Sequence, residues 1–465
     1  MTDADMTTVS AVEADAASTG DDRDRAVAAM AAQLAATPRA MFPYQHAAIA
    51  YRLGLAYAES AGADPTDGLR KALACYDLAA AIFDPRFDPV PHARVLNAAG
   101  AAQRALGDRR RAADLFQTAA DLLADHGRDD ERAAALNNLG LVMTELGESD
   151  QAVAACDEAA KLFDAESEQG RRGRVAALHG RGLAHAAMGG EAGLTAALDD
   201  YEQALAALDA REAPYHYGIV NDSIGVACIA LAGLVADEQG QLLSQAAQAF
   251  FEALTVFTRT AFPYQYALVK HNLGLALLGL GTLAVGDSLK DLRWSLSCFE
   301  DTVAVLDPRL HAAEWQRAYT NLERANDELV ARGAHGTRTE HFAALLAGCS
   351  DTTRLDLLRE RTTRLLTMPD PQRGSVLTEL ALASAALGYD AALPVATTEL
   401  IVLMELPREH LEVGLRARFN AHRLLDESDR QEADRALDQA IGDALGGPQR
   451  MYVRDFLYSL GWERP

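Results

Sequence analysis

A chain of 465 residues is too long for one compact core, so two or three domains or a repeat array are expected. Its 43 basic residues against 67 acidic ones leave a formal charge of −24, which argues against nucleic acid or an anionic membrane as a partner. Alanine, leucine and acidic residues dominate and prolines number only 15, a helical composition that leaves little room for a sheet.

Met1 to Asp22 carries six acidic side chains and no basic one, set among small polar residues. It has almost nothing large enough to bury, so residues 1–25 are expected to form a disordered acidic tail, dispensable for folding. No basic segment followed by an apolar stretch opens the chain, and no run of 18 apolar residues occurs; a cytoplasmic location is expected. The five cysteines (Cys75, Cys156, Cys228, Cys298, Cys349) form no C-x-x-C pair, which fits reduced thiols.

From residue 41 onward the chain repeats. A glycine recurs in similar surroundings at Gly54, Gly100, Gly140, Gly182, Gly225 and Gly274, at intervals of 46, 40, 42, 43 and 49 residues. Downstream of each comes a bulky residue, a small one three further on and a bulky one seven further on. These read Tyr76/Ala79/Phe83, Phe116/Ala119/Leu123, Cys156/Ala159/Phe163, Tyr201/Ala204/Leu208, Phe250/Ala253/Phe257 and Phe299/Thr302/Leu306. That spacing is one face of a helix. Each unit is therefore two helices, one bearing the glycine so that backbones can approach, the other bearing the aromatic. Turn glycines are expected between them at Gly107, Gly147, Gly189 and Gly281, where inserts of three to nine residues vary the spacing.

The stretch from Leu136 to Gly147, followed by Ala152, Cys156 and Ala159, resembles a tetratricopeptide repeat. Its asparagine pair and its long interval bring it nearer the repeats of kinesin light chains than the 34-residue form. The resemblance covers about residues 41 to 330 and wears out in a seventh half-unit, where Glu323 replaces the glycine. It implies an all-α, right-handed α-solenoid over residues 26–332, built of six to seven helix pairs, with peptide binding in its concave groove.

The resemblance also points to two columns on the first helix of each pair. Three residues before the glycine stand Tyr51, Asn97, Asn137, His179, Asp222, His271 and Thr320; two before stand Arg52, Ala98, Asn138, Gly180, Ser223, Asn272 and Asn321. In the light-chain-like family asparagines in the second column hold a peptide backbone, as a side chain that both donates and accepts can. Asn138, Asn272 and Asn321 are the matching residues, with His179 and His271 beside them. The plainer reading is a polar stripe in which asparagines tie neighbouring helices together. On the binding reading, alanine at the three asparagines costs little stability, within about 0.5 kcal/mol. The histidines should charge near pH 6.

The echoes Phe42-Pro-Tyr-Gln-His and Phe262-Pro-Tyr-Gln-Tyr, with Pro214-Tyr215 in the same place, read as helix starts with an aromatic staple; the competing reading is a set of exposed tyrosines on one rim. His179 and His185, six apart on a helix, face different ways, as do His335 and His341, so no metal site or other cofactor is expected.

After about residue 333 the repeat is lost but helices continue, over residues 351–367, 371–387, 390–405, 408–425, 428–445 and 449–460, and these are expected to form a C-terminal helical domain, residues 333–465. The run Leu400 to Met404 is apolar all round, which suits a core helix. Taken together, the sequence points to a non-catalytic partner-binding protein, an adaptor, assembly factor or dedicated chaperone, for which self-association is also open. Two other classes compete: a regulatory receptor sensing a peptide or small ligand, and an enzyme using residues such as Glu405, His410 and His422.

Overall fold

The computed structural model describes residues 20–59, 65–208, 210–211, 213–283, 288–332, 338–366 and 370–465. Among them the regular elements are 21 α-helices and one 3-10 turn, with no strand. The chain divides into two compact units, residues 1–223 and 224–465.

The first unit opens with α1 (Gly20–Ala35), which begins inside the segment expected to be tail; residues 1–19 lie outside the described residues. Four helix pairs follow: α2 (Pro43–Glu59) with α3 (Pro65–Ala80), α4 (Pro89–Ala105) with α5 (Arg109–Leu123), α6 (Asp129–Leu146) with α7 (Ser149–Leu162), and α8 (Glu168–Met188) with α9 (Gly190–Ala206). Each helix packs on the next in chain order, as a stack of repeats requires. Proline opens α2 and α4, as it does α10 (Pro214–Ala232), in which the first unit ends, because the missing N–H has no intrahelical partner there. Asp108 caps α5 by accepting the Arg111 N–H. Gly107, Gly147 and Gly189 close their turns with φ of 89°, 78° and 70°, the left-handed region.

The glycine column has one physical cause in every pair. A Cβ on Gly100 would stand 2.7 Å from Phe116 Cε1, and Cβ atoms at Gly54, Gly182, Gly225 and Gly274 would strike the rings of Tyr76, Tyr201, Phe250 and Phe299. Each ring lies over the bare helix opposite and is buried, a contribution of about 2–3 kcal/mol apiece. At Gly140 the smaller Cys156 fills the notch instead. There the backbones come nearer still, with a Cβ on Gly140 only 3.1 Å from the Ala152 carbonyl.

The second unit continues the same construction after the 3-10 turn Ala236–Glu238: α11 (Gln239–Val256), then α12 (Pro263–Leu283) with α13 (Ser288–Val305), and the half-unit α14 (Ala312–Ala331). Gly281 is not a turn residue, contrary to expectation. The helix α12 runs through it to Leu283, and the missing side chain makes room for Leu292 of α13. On α14, where Glu323 stands in place of glycine, Trp315 and Tyr319 stack on each other with ring centroids 5.3 Å apart.

Beyond the repeat come α15 (Arg338–Gly348), α16 (Asp351–Leu366), α17 (Asp370–Ala385), α18 (Tyr389–Met404), α19 (Arg408–His422), α20 (Glu427–Ala444) and α21 (Gly447–Ser459). The helix α15 has no counterpart in the sequence reading, although Phe342, Leu345 and Leu346 have helical spacing and are buried. Packing changes here: α15 lies on α17, α16 on α18, α17 on α19 and α18 on α20. One core nonetheless crosses residue 333, joining Leu292, Phe299 and Trp315 to Phe342, Leu357 and Val395. A second gathers Leu400, Leu403, Leu415, Leu437, Leu457 and Trp462. The all-apolar run in α18 lies between the two: Val402 belongs to the first and Leu400 and Leu403 to the second.

Candidate functional site: the first-helix face

The two columns before the glycine meet one another across repeats. Asn138 Nδ2 donates to Asn97 Oδ1 at 3.0 Å, joining α6 to α4. His179 Nε2 and Ser223 Oγ are 2.9 Å apart, joining α8 to α10. In both rungs a residue three before its glycine meets a residue two before the next glycine. Between them the rung is interrupted. A Cβ on Gly180 would lie 3.1 Å from Asn137 Oδ1, and with no side chain at Gly180 that buried oxygen accepts no hydrogen bond.

The first column also packs inward. Tyr51 lies on Tyr76, His179 on Tyr201 and His271 on Phe299, with ring centroids 6.1, 5.5 and 5.5 Å apart. Each therefore covers the ring that fills the glycine notch. Burial disfavours the charged imidazole and holds His179 and His271 at about 4, with His216 lowering His179 further and Arg317 lowering His271. The expectation that they charge near pH 6 is overturned for this reason. Burial likewise pushes the Tyr51 hydroxyl up to about 12. Asn272 and Asn321 are half-buried on α12 and α14, Thr320 is exposed and Asp222 lies on α10.

Four of the column residues, Tyr51, Asn97, Ala98 and Asn138, come together at one depression. A groove of about 420 Å³ opens along α2, α4 and α6, walled by Tyr51 and Leu55, by Asn97 and Ala101, and by Ala134 and Asn138. Alanines make its floor because small residues at helical spacing leave the trough unfilled. Asn137, His179, Asp222, His271, Asn272 and Asn321 do not line it. The alanine face of α4 (Ala98, Ala101, Ala105) is the sequence signal of this trough, an ambiguous one because alanine also suits any helix.

Elsewhere the proposed functional residues separate. His185 turns from His179 to Asp200, 2.7 Å away. Glu405 pairs with Arg359 at 2.5 Å, His410 Nδ1 accepts from Arg373 at 2.7 Å, and His422 meets Asp434 at 2.7 Å. These three residues serve three different contacts and make no common constellation. Tyr44 and Tyr264 stand exposed at their helix starts, while Phe262 packs edge-on against Phe257 at 5.6 Å. No helix among the described residues is long and apolar enough to cross a membrane.

The architecture is that of an all-α helix-pair repeat protein. No protein-family model matches the chain, and no curated protein matches it. Among solved structures it is similar to the TPR domain of P58(IPK), 14% identical with a TM-score of 0.21, over 90% of this chain and 99% of that one. Yeast Tom70 is 11% identical, also at 0.21, over 90% and 96%. A circular tandem repeat protein with a novel repeat topology is 13% identical at 0.15, over 95% and 92%. At such scores these likenesses add nothing to the assignment, which rests on the glycine–ring packing.

Proposed function

We propose that the chain is a non-catalytic interaction protein, an adaptor, assembly factor or dedicated chaperone, and that it holds a segment of its partner in the groove of α2, α4 and α6. The observation that carries this reading is the groove itself. It is a trough with an alanine floor, an aromatic wall at Tyr51 and three side-chain amides, of Asn97, Asn138 and Gln169, in its lining. Small ligands and peptide side chains are held by such sites, apolar with a few placed polar groups. Repeat stacks present their binding surfaces in this way, from one face of successive units.

Ala101 is exposed and faces the groove, so Ala101→Leu fills it without disturbing the core. The full chain and this variant would be compared for partner capture from native lysate and for melting temperature. Loss of capture at unchanged melting temperature is the expected result; unchanged capture removes the groove from consideration. A second reading, a receptor for a small ligand, draws on the same volume, which lies in the range of small-molecule sites. A melting-temperature rise with a small molecule, abolished by Ala101→Leu, would favour it.

A further inference from the structure

We propose that the segment held in this groove is a basic one, with arginine or lysine flanking a small or medium apolar residue. The inference rests on the groove reading above and adds the chemistry of the occupant. Carboxylates stand at both ends of the trough: Glu59 at the C-terminal end of α2, and Asp130 and Glu131 in the first turn of α6. The one guanidinium in the lining, Arg94, is spent internally. Its Nε and one terminal nitrogen donate to the two Glu131 oxygens at 2.6 and 2.7 Å, and both side chains are largely buried. Arg94 thus neutralises Glu131 and points no charge at a ligand.

Glu59 and Asp130 remain. Neither has a basic partner among the described residues, and Asp130 Oδ1 accepts only the Asp164 N–H, at 3.0 Å. An acidic side chain in the first turn also favours its own helix, so Asp130 has a second use. Glu59 has none of that kind, because it closes α2 at the end where a carboxylate is disfavoured. Apart from the Arg94–Glu131 pair, the rest of the lining is alanine, leucine and tyrosine, with the amides of Asn97, Asn138 and Gln169. The narrow alanine floor admits small or medium side chains, and the two acids call for a cation on either side. An acidic segment would meet uncompensated like charge at both ends, in a chain whose formal charge is already −24.

The test is a random decapeptide display library panned on the full chain, on Ala101→Leu and on Glu59→Lys. Expected are enriched sequences with arginine or lysine beside an apolar residue, lost on Ala101→Leu. Synthetic copies of them should bind Glu59→Lys about tenfold more weakly and bind wild type more weakly as salt rises, the signature of partly exposed charge pairs. Groove-dependent enrichment of acidic or uncharged sequences, or affinity indifferent to Glu59→Lys, overturns this inference and leaves the groove reading standing. Enrichment indifferent to Ala101→Leu, or no enrichment at all, overturns both.

Discussion

Asn138 and Asn97 share one hydrogen bond, 3.0 Å long, that ties the first helix of one repeat to the first helix of the repeat before. Two positions of the expected ligand-binding stripe are therefore also a rung between helices. The amide of Asn138 has a second N–H and a carbonyl still to use at the groove edge, so structure and recognition share this residue.

Asn138→Ala should lower stability by about 1 kcal/mol, the net worth of a half-buried amide pair, rather than leave it untouched. Asn97→Ala should cost about the same. The double mutant should cost much less than the sum, because one bond is lost in all three variants. Urea unfolding of the four proteins measures the coupling; simple additivity would show that the rung contributes nothing.

Gly100→Ala should destabilise despite the better helix propensity of alanine, which is worth about 1 kcal/mol. Its Cβ would stand 2.7 Å from the Phe116 ring, and overpacking of this kind costs about 1–3 kcal/mol. Adding Phe116→Leu to Gly100→Ala should restore part of the loss, since the smaller side chain vacates the notch. A melting temperature for the single variant at or above wild type would contradict the packing account.

His179 and His271 should keep unshifted ring resonances from pH 7.5 to 5, because burial holds both near 4. The sign follows from proton counts. The folded chain binds fewer protons than the unfolded one between the ordinary value of 6.5 and about 4, so their contribution is complete above 6.5 and is lost as pH falls. Glu300 has the opposite sign. Burial, then Asp301, raises its carboxyl to about 7, so its contribution is lost as pH rises through that value. Glu300→Gln should therefore unfold at a higher temperature than wild type at pH 8, with the gap closing toward pH 4.5. Histidine resonances moving between pH 7 and 6 would refute the first statement, and a constant gap the second.

Glu399 and Arg418 form a buried ion pair between α18 and α19. Either Glu399→Leu or Arg418→Met leaves a buried charge without its partner and should cost about 3–5 kcal/mol. The double variant should recover most of that, since matched apolar side chains replace such pairs at little cost. Denaturant titration of the three variants distinguishes this from a simple loss of contacts, in which the double mutant would be the worst.

The helix pairs, their order and the residues that join each pair were legible in the sequence because they depend on local periodicity. A glycine opposite an aromatic is written in five of the six repeats, with Cys156 opposite Gly140 in the other, and Gly100 with Phe116 is as readable as any helix cap. After residue 333 the helices were still legible from their apolar spacing, except α15. The continuity of the core across that point was not, because it depends on which distant helices meet. The same holds for the site. That polar residues precede each glycine is a sequence fact, whereas the pairing of Asn97 with Asn138 and of His179 with Ser223 joins residues 41 and 44 positions apart. Whether a histidine titrates or an alanine face stays open is decided by what the neighbouring helices bring to it. Burial and charge pairing act through space, and only the folded stack places Glu59 and Asp130 at the two ends of one trough.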